Sequence, residues 1–192
     1  MRLDKLFQVL SAIHPMSEDF KKAIEQEVTY LSLPSHHMLL EAPRIAAHAY
    51  FLDDGFAMSY TFIKGKKQVE CFCTQGQFIV SVKSFFEQVP SQEFIQLMKQ
   101  SEVLCISYAS VLRLFHTFPE ANFIYRVLMN QYYEQSRERI RELHHLSAYA
   151  RYKKLREVFP PIEQILPQEH IASYLGIAPQ SLSRIKKQRG HT

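Results

Sequence analysis

Near the end of the chain, Gln180, Ser181, Arg184 and Lys187 project to one side of a helix, while Ala178, Leu182 and Ile185 follow the i, i+4, i+7 rule on the other. The first set carries the donors and acceptors that base edges and phosphates call for. Arg presents a planar fork to guanine, Gln pairs with adenine, Ser serves either, and Lys meets the backbone. Ser183 and Lys186 stand beside them in the same segment. A solvated cationic face on any amphipathic helix gives a similar pattern, so charge distribution has to decide. From Arg137 to the end there are eleven Lys and Arg against five Glu, a net +6, whereas the whole chain is +4. Residues 1–136 therefore sum to −2, and a near-neutral body carries a basic C-terminal part that favours a polyanion.

The elements that hold these residues follow from the flanking sequence. Ile171, Ala172 and Leu175 repeat at helical spacing, Gly176 supplies a sharp helix exit, and Pro179 sits where a new helix starts. Two short helices with a tight turn, a helix-turn-helix, are expected over 168–187. Ala178 takes the cap position of the second helix, a loss of about 1 kcal/mol relative to Ser or Thr.

Upstream the texture changes twice. A short helix with the stripe Leu3, Leu6, Phe7, Leu10 and Ile13 stops at Pro15, and Ser17 caps a second that runs to about Val28. Then come short segments rich in β-branched and aromatic residues: Val28–Leu33, Met38–Glu41, Ala47–Leu52, Met58–Ile63, Gln68–Cys73, Phe78–Val82, Phe94–Met98 and Val103–Ile106. Asp53-Asp54-Gly55 and Lys64-Gly65-Lys66 read as hairpin turns. Many short strands at near-regular spacing imply a sandwich or barrel. A short helix near Tyr108–Phe115 follows.

Between Pro119 and Pro160 there is no Gly or Pro. Ile124, Leu128, Tyr132, Ile140 and Leu143 mark one seam of the resulting long helix, Phe123 and Val127 another. Two seams require two partners, the chain's own β-domain and the same helix of a second copy. His144-His145-Leu146-Ser147 is the expected break, with Ser147 capping a helix from Ala148 to Val158 that Phe159-Pro160-Pro161 closes.

Composition excludes several classes. No apolar run approaches the roughly 18–20 residues of a membrane span, and the opening Met1-Arg-Leu-Asp-Lys is unlike a secretory signal. Cys71, Cys73 and Cys105 are too few for a disulfide framework and fit a reducing compartment. A cytoplasmic protein with no membrane partner is expected.

The order of β-region, long helix and helix-turn-helix resembles the Crp/Fnr family of bacterial transcription factors, named for the cyclic-AMP receptor protein and the fumarate–nitrate reduction regulator. The resemblance rests on Ser147-Ala148-x-x-Arg151-Tyr152, on the run from Ile171 to Ile185, and on Ser84-Phe85 and Pro90-Ser91, which look like the branch common in Bacteroidetes. It implies an α+β fold. A double-stranded β-helix (jelly-roll, cyclic nucleotide-binding-like) sensor occupies 1–117, a dimerisation helix 118–146 and the helix-turn-helix 147–192. It also implies a non-enzymatic, homodimeric regulator that binds an inverted repeat in double-stranded DNA and acts with RNA polymerase. By that resemblance Gln180, Ser181 and Arg184 read bases, and an effector meets Val80, Val82, Ser84, Phe85, Pro90 and Ser91, with Ser136 and Arg137 facing it from the central helix.

Two departures stand out. Family members that bind cyclic AMP carry Gly-Glu and then Arg-Ser in the phosphate-binding segment. Here Ile79–Ser91 lacks Gly-Glu, and Pro90 stands where the arginine would hold the phosphate. Losing such a charge-assisted contact removes several kcal/mol of anion binding, so the expected effector is an unidentified small molecule other than cyclic AMP. Only a few residues follow the second helix, which leaves no room for a β-hairpin wing.

Other readings are weaker. Cys71 and Cys73 share a strand face without completing a four-ligand zinc set, and no N-terminal cysteine cluster suits an iron–sulfur centre. His36-His37 and His144-His145 are adjacent pairs whose members point apart. A ligand-binding or scaffold module with a vestigial DNA domain is the second class. A cupin-like metalloenzyme is the third, for which His48 and Glu70 are too thin a ligand set. No metal site is expected.

Overall fold

The structure is a computed structural model and describes residues 3–188. The chain forms two compact units, one made of the residues up to Ser59 with Phe72–Gln131, the other of Tyr60–Cys71 with the residues from Tyr132 on.

The first unit opens with helices α1 (Asp4–Ile13) and α2 (Glu18–Glu27). The Ser17 hydroxyl accepts the Phe20 N–H at 3.2 Å, the cap that its place before Glu18-Asp19 requires. Eight strands follow: β1 (Val28–Leu33), β2 (Met38–Leu40), β3 (His48–Asp54), β4 (Phe56–Ile63), β5 (Lys66–Thr74), β6 (Phe78–Ile79), β7 (Phe94–Leu97) and β8 (Ser101–Ser107). They pair in two four-stranded sheets, ordered β1-β8-β3-β6 and β2-β7-β4-β5. Helix α3 (Val82–Glu87) interrupts the strands, and α4 (Tyr108–Thr117) leads into α5 (Pro119–His145). Phe20, Ile24, Phe51, Leu104, Leu114, Ala121 and Ile124 are joined in one core, with Leu128 packed on its margin.

Two expectations are corrected here. Asp53-Asp54-Gly55 is no hairpin turn, because β3 and β4 lie in different sheets and the segment is a corner between them. Gly55 has φ +143°, and a Cβ there would sit within 2.5 Å of the Ser101 Cβ, so the corner needs glycine for close approach. The segment Phe78–Val82 is strand only to Ile79, after which Val82 begins α3. The β-rich texture of Ile79 to Val82 hid the change, since periodicity cannot assign so short an apolar run. Lys64-Gly65 does turn a hairpin, with φ of 51° and 75° as a type I′ turn demands.

In the second unit, the β4–β5 hairpin from Tyr60 to Cys71 joins the later part of α5, then α6 (Ala148–Val158), α7 (Ile162–Ile165), α8 (Gln168–Tyr174) and α9 (Pro179–Gln188). The Ser147 hydroxyl accepts the Ala150 N–H at 3.2 Å and starts α6. Tyr152, Leu155, Ile162, Leu166, Ile171, Leu175 and Leu182 are buried.

Candidate nucleic-acid interface

Helix α9 is set by its apolar face. Leu182 is fully buried, as are Ile171, Ala172 and Leu175, the first two on α8 and the third at its end. Gly176, at φ +66°, turns the chain between the two helices, and its N–H bonds the Ser173 carbonyl at 3.0 Å. With Leu182 inward, Gln180, Arg184 and Lys187 are exposed at i, i+4 and i+7, whereas Ser181 and Ser183 are half-buried. Lys186 lies apart from this face. Its Nζ is 3.1 Å from Glu163 Oε2, while Glu163 Oε1 accepts a hydrogen bond from the Tyr152 hydroxyl and lies 3.6 Å from Arg156 Nε. Burial opposes charge on Glu163, yet Tyr152 and Lys186 together hold its pKa below the usual carboxylate range. Burial and that same bond push the Tyr152 phenol up to about 12.

Helix α8 is held at its C-terminus by cations, as the helix dipole favours. The Arg139 guanidinium, from α5, donates to the Tyr174 carbonyl and lies 3.9 Å from the centre of the Tyr174 ring. Arg151, from α6, donates to the Leu175 carbonyl at 3.1 Å and to the Leu146 carbonyl at the end of α5. Burial lowers the Arg139 pKa, opposed by Tyr174 and by Glu142. On its other side α8 meets the hairpin. The Ser173 hydroxyl accepts the Val69 N–H at 2.9 Å and donates to the Lys67 carbonyl at 3.0 Å, while Gln68 Nε2 donates to the Ser173 carbonyl at 3.1 Å. Lys67 caps the Tyr60 ring at 4.0 Å. Burial, then the Lys67 charge, lowers the His170 pKa.

The unit that carries α9 has fourteen Lys and Arg against seven Glu, a net +7. Most of that charge is answered within the unit. Arg137 pairs with Glu134, Arg139 with Glu142, Arg141 with Glu138, Lys153 with Glu157, Lys154 with Glu138 and Glu142, and Arg156 and Lys186 with Glu163. Among the described residues of the unit, the exposed cations with no acidic partner are Arg184 and Lys187 on α9 and Lys64 and Lys66 on the hairpin. Sequence reasoning missed the hairpin pair, although three lysines around one glycine were the available signal.

The residues expected around an effector fall in both units, Val80, Val82, Ser84, Phe85, Pro90 and Ser91 in the first and Ser136 and Arg137 in the second. Ser84, Phe85 and Ser91 are buried, Val80 and Val82 half-buried, and Pro90 exposed in a bridge to Ile45. Ser84 Oγ donates to the Val89 carbonyl at 2.6 Å and accepts the Ala46 N–H at 2.9 Å. Ser91 Oγ donates to the Glu93 carbonyl at 3.1 Å, accepts the Glu93 N–H at 2.9 Å, and meets Ser81 Oγ at 3.2 Å. A hydroxyl has one donor and two acceptor sites, so Ser91 is saturated by the protein. Phe85 packs edge-on to Phe86 and Tyr108. On α5, the Ser136 hydroxyl donates back to the Tyr132 carbonyl at 2.9 Å, and Arg137 is exposed over the Tyr133 ring. A cleft of about 110 Å³, lined by Met38, Leu40, Arg44, Ile45, Tyr50 and Ile95 among others, involves none of the eight. It is smaller than the roughly 300 Å³ at which ligand pockets begin. Among the described residues no group of three or more His, Cys, Asp or Glu is placed to hold a metal ion, and no helix is long and apolar enough to cross a membrane.

The expected dimer seam is also corrected. Ile124 is buried in the first unit's core and Leu128 packs on it, while Tyr132, Ile140 and Leu143 are exposed. At 3.6 residues per turn, Ile124 and Ile140 stand about 160° apart, so one straight seam cannot include both. The stripe that does repeat at heptad spacing is Met129, Tyr133, Ser136, Ile140 and Leu143, of which Tyr133, Ile140 and Leu143 are exposed.

The sequence matches no protein-family model and no curated protein. Solved structures do match over most of the chain. The cyclic-di-GMP-responsive global regulator CLP of Xanthomonas campestris is 15% identical, with a TM-score of 0.71 over 91% of this chain and 92% of its own. FixK2 of Bradyrhizobium japonicum is 14% identical, with a TM-score of 0.72 over 84% and 83%. A transcriptional regulator of Eubacterium rectale assigned to the Crp/Fnr family is 12% identical, with a TM-score of 0.73 over 90% and 83%. Across both its units, this chain has the fold of the Crp/Fnr regulators.

Proposed function

We propose that the chain is a transcription regulator of the Crp/Fnr kind, in which α8 and α9 form a helix-turn-helix and α9 enters the DNA major groove. The observation that carries this is the exposed row Gln180, Arg184 and Lys187, whose two cations have no acidic partner while seven other cations of the unit are paired with Glu. Arg184 reads a guanine by its donor fork, Gln180 an adenine and Ser181 either base, while Lys187 takes a phosphate, with Ser183 at the margin. Lys186 is spent on Glu163 and buttresses α9.

The regulator acts as a homodimer through the α5 stripe of Tyr133, Ser136, Ile140 and Leu143, which places two copies of α9 on an inverted repeat. It works with RNA polymerase in the cytoplasm. Its effector is a small molecule other than a cyclic nucleotide, because the serines and Phe85 of the expected phosphate segment are bonded and packed to the protein itself.

The test is selection from a random duplex library. Wild type should enrich inverted repeats with half-site centres about one helical turn apart. Arg184→Ala should cost about 1–3 kcal/mol and relax preference at one base pair in each half-site, whereas Lys187→Ala should weaken every sequence alike. Absence of an enriched repeat, or an Arg184→Ala variant that selects the wild-type sites, removes this reading.

A further inference from the structure

We propose that the tip of the β4–β5 hairpin is a second DNA-contacting element, which binds phosphates through Lys64 and Lys66 beside the helix pair. The inference rests on the function proposed above, and it follows from the same criterion that selects α9. Of the fourteen cations in this unit, seven are paired with Glu, Arg151 is bonded to carbonyls and Lys67 lies over the Tyr60 ring, and those left exposed and unpaired among the described residues sit on α9 and on the hairpin tip. Among the described residues of this unit, these four exposed charges are the ones left for an external anion.

Geometry gives the hairpin a reason to act with α8 and α9. Ser173 bonds both the Val69 N–H and the Lys67 carbonyl, and Gln68 bonds the Ser173 carbonyl, so three consecutive hairpin residues are fastened to the last turn of α8. Lys66 is the next residue along, about 3.3 Å of strand from Lys67. Lys64 lies in the turn itself, with Gly65 at φ +75° allowing the chain to reverse. The charges are therefore presented on a short, two-stranded arm of fixed attachment. Such an arm loses little conformational freedom on meeting a polyanion. Phosphate contacts of this type carry no base preference, so the arm adds affinity and leaves the choice of sequence to α9.

The chemistry of the partner is that of a duplex backbone, and its signature is counterion release. Each neutralised phosphate steepens the fall of log affinity with log salt by about 0.9. The experiment titrates the full-length protein against a random-sequence duplex of about 40 base pairs over a range of salt, a probe that needs no knowledge of the operator. Four proteins are compared: wild type, K64A/K66A, Ser173→Ala and Lys187→Ala. The double variant should shallow the salt slope by about 1.8 per protomer. Ser173→Ala keeps every lysine but releases the arm, and it should recover part of the same loss of slope. Neither should alter the sequences chosen in library selection.

The outcomes separate the two readings. A shallower slope for Lys187→Ala together with a wild-type slope for K64A/K66A overturns the hairpin contact and leaves the regulator standing. A wild-type protein that binds the duplex without salt dependence overturns both. Loss of slope in the double variant with none in Ser173→Ala retains the lysine contacts but overturns the role of the Ser173 attachment. Circular dichroism of each variant distinguishes loss of contact from loss of fold, which is not expected for two exposed lysines.

Discussion

Replacing Arg139 with Met should loosen α8 without unfolding the rest of the chain. The Arg139 side chain is 18% exposed, donates to the Tyr174 carbonyl and stacks on the Tyr174 ring. A hydrogen bond from a charged donor contributes about 1.5–3 kcal/mol, and the ring contact adds up to about 1 kcal/mol. Against this, Met fills most of the same volume and escapes the cost of burying a guanidinium. Glu142 is not orphaned by the change, because Lys154 still pairs with it. The net loss is about 2 kcal/mol, which raises the opening constant of α8 about 30-fold, since about 1.4 kcal/mol is a factor of ten. Native-state hydrogen exchange reads it directly. The Leu175 amide, bonded to the Ile171 carbonyl at 3.0 Å, should exchange about 30-fold faster, while amides of β3 and β8 keep their protection. Arg139→Lys should fall between, because an ammonium keeps the charge but lacks the planar fork. If the α8 amides exchange as in wild type, the anchoring of this helix by Arg139 is refuted. If β3 accelerates equally, the effect is global and the anchoring is equally refuted.

Three further outcomes follow from other parts of the molecule. Ile140→Lys places a charge in the middle of the exposed α5 stripe and should give a folded monomer, and wild type that sediments as a monomer at micromolar concentration refutes the homodimer. Cyclic AMP and cyclic GMP should leave the melting temperature unchanged, whereas a ligand at about 100 times its Kd stabilises by about 2.7 kcal/mol and would shift calorimetric unfolding visibly. Hydrogen bonds from Arg113, then from Ser110, lower the Glu27 pKa to about 2. The stability this pair adds is therefore fully present above the unfolded carboxylate pKa of about 4.5 and is lost as pH falls from there toward 2. The gap in stability between wild type and Arg113→Ala should close over that interval, and a gap independent of pH would show that the ion pair contributes nothing.

Local signals in the sequence were reliable wherever one residue type satisfies one backbone group. Ser17 and Ser147 cap the helices they precede, and Gly65 and Gly176 stand at positive φ where the chain reverses. The exposed row on α9 was legible because a buried Leu182 fixes where its neighbours point. What failed was whatever depends on the second body. Gly55 looked like hairpin chemistry, but a glycine at a corner between sheets has the same local needs. Ile124 and Ile140 look like one stripe only while helical phase is neglected, because sixteen residues make about 4.4 turns and bring the second residue to nearly the opposite face. Lys186 counted as a DNA contact until Glu163, twenty-three positions earlier, was found to hold it. The attachment of Ser173 to the hairpin has no sequence signature at all, since its partners lie 104 to 106 positions away.

That separation has a consequence for how the protein is made. At about 5–20 residues per second, translation needs about 5–20 s to pass from Val69 to Ser173, and throughout that interval the hairpin exists without the helix that will hold it. Its strand segment Phe62-Ile63 is exposed even in the finished structure, at 52% and 58%. An exposed apolar segment of this kind invites association with other nascent chains. Lys64, Lys66 and Lys67 flank it immediately, and charge beside an unavoidable apolar strand is how such segments are kept apart. The same lysines thus protect the growing chain before they have any partner, and a C-terminal fragment begun at Ser147 would lack the arm on which Ser173 closes.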